Sequence, residues 1–147
     1  GDRCVSWFDD GNVDLKYTGA NQVGMPGAQM NSLLYALNFR SAGSIFFMND
    51  KKFKSPMFLS FMTRKDRYPK VEISLNSNSI VIDPTSELDR IVMRTVLVGW
   101  AKPGMNEVMI IPFTEWETAF RVTGIHICAA CLQYAQNPNI VMHEYLI

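Results

Sequence analysis

The chain has 147 residues, 48% hydrophobic and 19% charged, which is long enough to bury a core without disulfide or metal and too apolar for a disordered segment. Fourteen basic side chains balance fourteen acidic ones, so bulk positive charge does not mark a nucleic-acid-binding body. No apolar run approaches the roughly 20 residues of a membrane helix, and there is no signal peptide, low-complexity tract or internal repeat. One globular domain over residues 1–147 with no membrane partner is therefore expected, processed or trimmed ahead of Gly1.

The first fifteen residues carry Asp2, Asp9, Asp10 and Asp14 against Arg3, with an Asp10-Gly11 turn between short strands at Val5–Phe8 and Val13–Tyr17. Thr18 to Gly27 is loop by composition. Met30, Leu33, Leu34 and Leu37 fall at the i, i+3, i+4, i+7 spacing of an amphipathic helix, with Pro26 and Gly27 as its entry turn. After Gly43, the run Ser44 to Met48 has β-propensity and apolar residues on both faces, which predicts a strand buried from both sides.

Pro56 to Thr63 is a second strand of the same kind. Around it, Lys51, Lys52, Lys54, Arg64, Lys65, Arg67 and Lys70 stand against Asp66 alone, half of all the basic residues. If the two buried strands are neighbours, these side chains gather at their ends, either as a solvated rim or as a contact for phosphate or an acidic partner surface.

Val71, Ile73 and Leu75 alternate with polar residues and lead through Asn76-Ser77-Asn78-Ser79 into Ile80–Ile82, a surface hairpin. Strands follow at Asp89–Val98 and, past the Lys102-Pro103-Gly104 turn, at Asn106–Phe113, where Pro112 belongs at an end or a bulge. Glu115 to Glu117 is loop; Gly124–Tyr134 and Ile140–Ile147 are the last strands, joined by Asn137-Pro138-Asn139.

Candidate chemistry is sparse. Cys4, Cys128 and Cys131 are an odd number, which predicts free thiols in a reducing compartment. Cys128 and Cys131 form a C-x-x-C, but on a strand they face opposite sides and no second ligand pair exists, so small buried apolar residues are expected rather than a zinc or redox site. His126 and His143 lack a neighbouring carboxylate and nucleophile at a recognisable spacing and read as structural. There is no Gly-rich phosphate loop, H-E-x-x-H or G-x-S-x-G, so neither catalysis, a cofactor nor a metal is expected. Eight strands with one or two short helices fit an all-β antiparallel jelly-roll β-sandwich.

The segment Leu33–Ala42 running into Gly43-Ser44-Ile45 resembles the capsid proteins of picorna-like viruses, where a helix with an aromatic-Arg ending, here Phe39-Arg40, leads into a core strand. Asn106–Phe113 with its Ile111-Pro112-Phe113 triplet, the strand Gly124–Tyr134 and the terminal strand Ile140–Ile147 are similar to later strands of that family in the same order. The resemblance implies a coat subunit, or one domain of a larger coat polypeptide, in the manner of a plant-infecting member, assembled in the host cytoplasm into an icosahedral virion with other capsid subunits around genomic RNA. On that reading the basic stretch contacts RNA or a neighbouring subunit, and Trp7, Tyr68 and Trp116 anchor interfaces or else pack inside. A second resemblance, of Pro103–Tyr134 to galectins, implies a carbohydrate-binding β-sandwich, although Asn49 is followed by Asp50-Lys51 where the galectin sugar motif has Asn-Pro-Arg.

Overall fold

The computed structural model describes residues 4–7, 15–26, 33–63, 65, 69–86, 92–114, 119–128 and 141–146. Among them are twelve strands and no helix: β1 (Cys4–Trp7), β2 (Lys16–Thr18), β3 (Asn21–Pro26), β4 (Leu33–Phe39), β5 (Gly43–Asn49), β6 (Ser55–Thr63), β7 (Val71–Leu75), β8 (Asn78–Ile82), β9 (Val92–Ala101), β10 (Gly104–Pro112), β11 (Phe120–Cys128) and β12 (Val141–Leu146). They form two antiparallel sheets packed as a jelly-roll-like sandwich. One has seven strands, ordered β12-β9-β6-β11-β4-β3 with β1 on β11, and the other has five, ordered β2-β5-β10-β7-β8.

The eight-strand expectation is corrected to twelve, and the largest local correction is β4. A short apolar run satisfies the helical and the doubly buried strand pattern at once, and pairing decides between them. Here β3 takes one edge of β4 through Asn21↔Asn38 to Pro26↔Leu33, and β11 takes the other through Phe120↔Phe39 to Val122↔Leu37. Ladders flank the end of β4 on both edges, β3 pairing Leu33–Asn38 and β11 pairing Leu37–Phe39, while Ala36, Leu37 and Phe39 are fully buried. The same pairing turns the predicted loop at Thr18–Gly27 into edge strand β3, where polar residues, Gly24 and a terminal Pro26 are tolerated.

The two doubly apolar strands are not neighbours. β5 lies in the five-stranded sheet beside β2 and β10, whereas β6 lies at the centre of the other between β9 and β11. All nine residues of β6 are buried. Its polar members are satisfied internally: Ser55 Oγ donates to the Phe53 carbonyl at 3.3 Å and Thr63 Oγ1 to the Val92 carbonyl at 2.8 Å. The core between the sheets is built from Phe39, Ile45, Phe47, Leu59, Phe61, Ile73, Val108, Ile110, Val122 and Ile125, each side chain contributing roughly 1.5–3 kcal/mol on burial.

A polar chain ties four strands of the large sheet together. His126 on β11 meets the Ser6 hydroxyl of β1 through Nδ1 at 2.7 Å and the Ser60 hydroxyl of β6 through Nε2 at 2.8 Å. Ser60 in turn meets Thr95 Oγ1 of β9 at 2.6 Å. Ser60 and Thr95 are buried, so these hydroxyls are internal links.

Cys128 corrects the expectation of free thiols: it is disulfide-bonded. The register sets the Cys4 backbone opposite that of Cys128, because β1 pairs with the second half of β11 while β4 pairs with the first. Separation along the chain hides such a juxtaposition from any count of cysteines. Cys131 lies outside the described residues, as does the predicted strand beyond Cys128 up to Val141.

Candidate binding cleft

Three connections meet at one end of the sandwich: β5–β6 (Asp50–Lys54), the β7–β8 turn (Asn76-Ser77) and the β9–β10 turn (Lys102-Pro103). Their convergence follows from the pairings Gly104↔Asn49, Ser55↔Ala101 and Val108↔Leu75. Between them lies a cleft of about 590 Å³ floored by Leu75 and lined by Trp100, Asn76, Asn78, Lys54 and Lys102. Trp100, one residue before the end of β9, is 37% exposed.

Two buried asparagines hold the walls. Asn106 on β10 uses its whole side-chain hydrogen-bonding capacity: Oδ1 accepts from the Lys102 backbone N–H at 3.0 Å and from Asn76 Nδ2 at 3.2 Å, while Nδ2 donates to the carbonyls of Lys102 at 2.8 Å and Gly104 at 3.0 Å. Asn49, at the end of β5, donates through Nδ2 to the carbonyls of Phe53 and Ala101, each at 3.3 Å, and accepts from the Lys51 N–H at 3.1 Å. It thereby ties the Lys54 loop to the strand end that carries Trp100. Asn76 adopts φ 54°, a conformation asparagine enters more readily than most residues and one that tight turns require. Gly99 makes room for the wall: a Cβ there would stand 2.9 Å from Asn78 Nδ2 and 3.3 Å from Asn78 Cβ.

The cleft adjoins the outer face of the five-stranded sheet. A hollow of about 400 Å³ shares Asn76 and Lys102 with it and extends over Phe46, Met105, Glu107 and Met109. A third, of about 690 Å³, shares Phe46 and Met105 and reaches Lys16 and Tyr17. Strand alternation explains this face. With Ile45 and Phe47 turned into the core, Phe46 and Met48 point outward, and Val108 and Ile110 alternate likewise with Glu107 and Met109. Glu107 accepts a hydrogen bond from Ser44 Oγ at 2.7 Å.

The residues singled out from sequence are divided by the fold. Lys51, Lys52 and Lys54 sit at the cleft end, while Lys65 and Lys70 follow the far end of β6, a strand about 30 Å long, so the basic stretch is not one patch. Arg64, Arg67, Tyr68 and Trp116 lie outside the described residues. Trp7 is 7% exposed, its ring centroid 5.9 Å from that of Phe47, which makes it a core side chain and not an exposed anchor. Sequence reasoning passed over Trp100, Asn76, Asn78 and Lys102. The available signal was a tryptophan just ahead of the Lys-Pro-Gly turn and an asparagine-rich turn elsewhere, two features that only strand pairing brings together.

No family model and no curated protein matches this sequence. Solved structures do match in fold. A family 35 carbohydrate-binding module from Clostridium thermocellum aligns over 87% of this chain and 99% of its own length, with TM-score 0.55 and 12% identity. The CBM35 of Paenibacillus barcinonensis aligns over the same shares with TM-score 0.52 and 12% identity. The GH26-CBM35 β-(1,4)-mannanase of Podospora anserina matches 88% of this chain with 28% of its own length, at TM-score 0.52 and 12% identity. These likenesses establish the sandwich. They also overturn the capsid reading: the folds matched are those of carbohydrate-binding modules, and the helix on which the coat-protein resemblance rested is strand β4.

Proposed function

We propose that this protein is a carbohydrate-binding β-sandwich that holds glycan at the Trp100 cleft and does no chemistry on it. The observation that carries the reading is an exposed tryptophan set among asparagine amides and lysines on turns clamped by buried Asn106 and Asn49. A flat indole face packs against the C–H face of a sugar ring, while amides and ammonium groups meet its hydroxyls, so one site satisfies both aspects of a pyranose. Walls fixed before the ligand arrives lower the ordering cost of binding. The likeness to carbohydrate-binding modules supports the reading. So does the lining of the cleft, where the described residues are Trp100, Leu75, asparagines, a serine and lysines and include no pair of carboxylates of the kind glycoside hydrolysis uses. The galectin motif is not the basis of recognition here, since Asn49 is buried and committed to the backbone of the β5–β6 connection and of the end of β9.

Affinity electrophoresis through gels containing soluble polysaccharides tests the proposal. Retardation by at least one glycan, abolished by Trp100→Ala in a protein with an unchanged melting temperature, is the expected result. Migration unaffected by every acidic and neutral polysaccharide tried would refute carbohydrate binding.

A further inference from the structure

The β5–β6 connection presents a phenylalanine to solvent. Phe53 is 55% exposed, yet the backbone that carries it is fastened from below. Its carbonyl accepts hydrogen bonds from Asn49 Nδ2 and from Ser55 Oγ, each at 3.3 Å, and the Lys51 N–H donates to Asn49 Oδ1 at 3.1 Å. Asn49 is 2% and Ser55 0% exposed, so both anchors belong to the interior while the ring stands outside it. Lys51, Lys52 and Lys54 bracket the ring in sequence, and the pairings Gly104↔Asn49 and Ser55↔Ala101 bring Lys102 of the β9–β10 turn alongside. Asp50 is the one carboxylate in the three connections that meet here, a balance of four positive to one negative in a protein whose net charge is zero.

Shape decides what such a tip fits. Phe53 lines none of the three hollows, so it is a protrusion and not the floor of a groove. Single-stranded nucleic acid stacks its bases on aromatic platforms along a basic groove, an arrangement a convex tip does not offer. A ring projecting between ammonium groups suits a surface soft enough to receive it. The ring enters the boundary between headgroups and acyl chains, while the lysines keep their charges at the level of the phosphates and lay their stems along apolar surface.

We propose that this end of the sandwich docks on an anionic phospholipid surface, with Phe53 inserted at the headgroup boundary and Lys51, Lys52, Lys54 and Lys102 facing the lipid phosphates. The sequence-based expectation of no membrane partner rests on the lack of a spanning run, and docking of this kind lies on the membrane without crossing it. Insertion and charge act together: each lysine close to an anionic leaflet contributes about fivefold in affinity, and only a protein held within a Debye length of the surface gains it. The proposal stands apart from the glycan reading, because the Phe53 ring is outside the lining of the Trp100 cleft.

Sedimentation of the protein with vesicles tests it, with phosphatidylcholine alone compared with equal parts of phosphatidylcholine and phosphatidylserine. Each variant is checked for an unchanged melting temperature. The expected result is binding to the mixed vesicles and not to phosphatidylcholine, weakened about tenfold by Phe53→Ser, about twentyfold by Lys51→Gln/Lys52→Gln, and further by high salt. Phe53→Trp is expected to keep the binding and to shift its emission to the blue when mixed vesicles are added. Phe53→Ser leaves migration through polysaccharide gels as in the parent, so the two readings fail separately. Vesicle binding indifferent to Phe53→Ser, or an emission that does not shift, would reduce the contact to bulk charge attraction and overturn docking. Absence of binding to the mixed vesicles overturns it outright, and Phe53-dependent retention of poly(U) in its place would assign the loop to nucleic acid.

Discussion

Asn106 Oδ1 accepts a hydrogen bond from Asn76 Nδ2 at 3.2 Å, and through that contact the β9–β10 turn and the β7–β8 turn become one rigid wall. Asn106 is 1% exposed and its amide is fully committed, so the wall is set by the interior of the sheet and not by the ligand. On the proposed reading, recognition at this end of the sandwich depends on buried residues that hold the turns in place. Asn106→Ala should lower stability by about 2–4 kcal/mol, because it leaves buried backbone donors and acceptors of the turn unmatched. Urea denaturation with a glycan titration checks it, and the expected binding loss persists where the variant is fully folded.

Trp100→Ala removes the aromatic platform at an exposed position. The expected loss is roughly 2 kcal/mol of binding free energy, about thirtyfold in affinity, with the melting temperature held within a degree or two of the parent. Calorimetric titration paired with thermal melts measures both. A large stability loss with binding preserved would mean that the indole packs and does not recognise.

Gly99 offers a gentler probe of the cleft. An added methyl would sit 2.9 Å from the Asn78 amide nitrogen and 3.3 Å from its Cβ, so the side chain must swing aside. Gly99→Ala should change stability by less than about 1 kcal/mol while weakening glycan binding severalfold. The pairing of small stability change with measurable binding change is the signature sought.

Gly43, at the start of β5, answers a different constraint. A Cβ there would run into the Thr18 carbonyl of the neighbouring strand and stand 2.8 Å from the Phe39 ring. Neither neighbour is a flexible side-chain end, so Gly43→Ala is expected to destabilise by about 1–3 kcal/mol or more, read by chemical denaturation, with unfolding midpoint falling and the glycan affinity of the folded fraction unaltered.

The Cys128 disulfide ties down the end of β11, a central strand of the larger sheet. Reduction, or Cys128→Ser, should lower stability by about 2–4 kcal/mol. Thermal melts with and without reductant check this, and equal midpoints would show that the bond adds nothing.

Much of the strand content was legible because it depends on local alternation. Val71, Ile73 and Leu75 alternate with polar neighbours, and Asn76-Ser77 marks the reversal into β8; β6 and β10 appear almost at their true bounds, with Pro112 closing β10 as its missing N–H requires. Two apolar sheets with little helix make a sandwich whichever way they are wound. What alternation could not convey was pairing. Leu33 to Phe39 satisfies helical and strand periods alike, and only ladders from β3 and β11, whose residues lie far apart in sequence, make it a strand. Lys54, Asn76, Trp100 and Lys102 share one cleft because strand order places three unrelated turns at the same end. The long β6 sends Lys65 and Lys70 to the other, although they belong to the same basic run. Composition and periodicity are properties of neighbours along the chain and so determined the class of fold; a site is a property of neighbours in space, and the long-range hydrogen bonding of the two sheets decided where it would be.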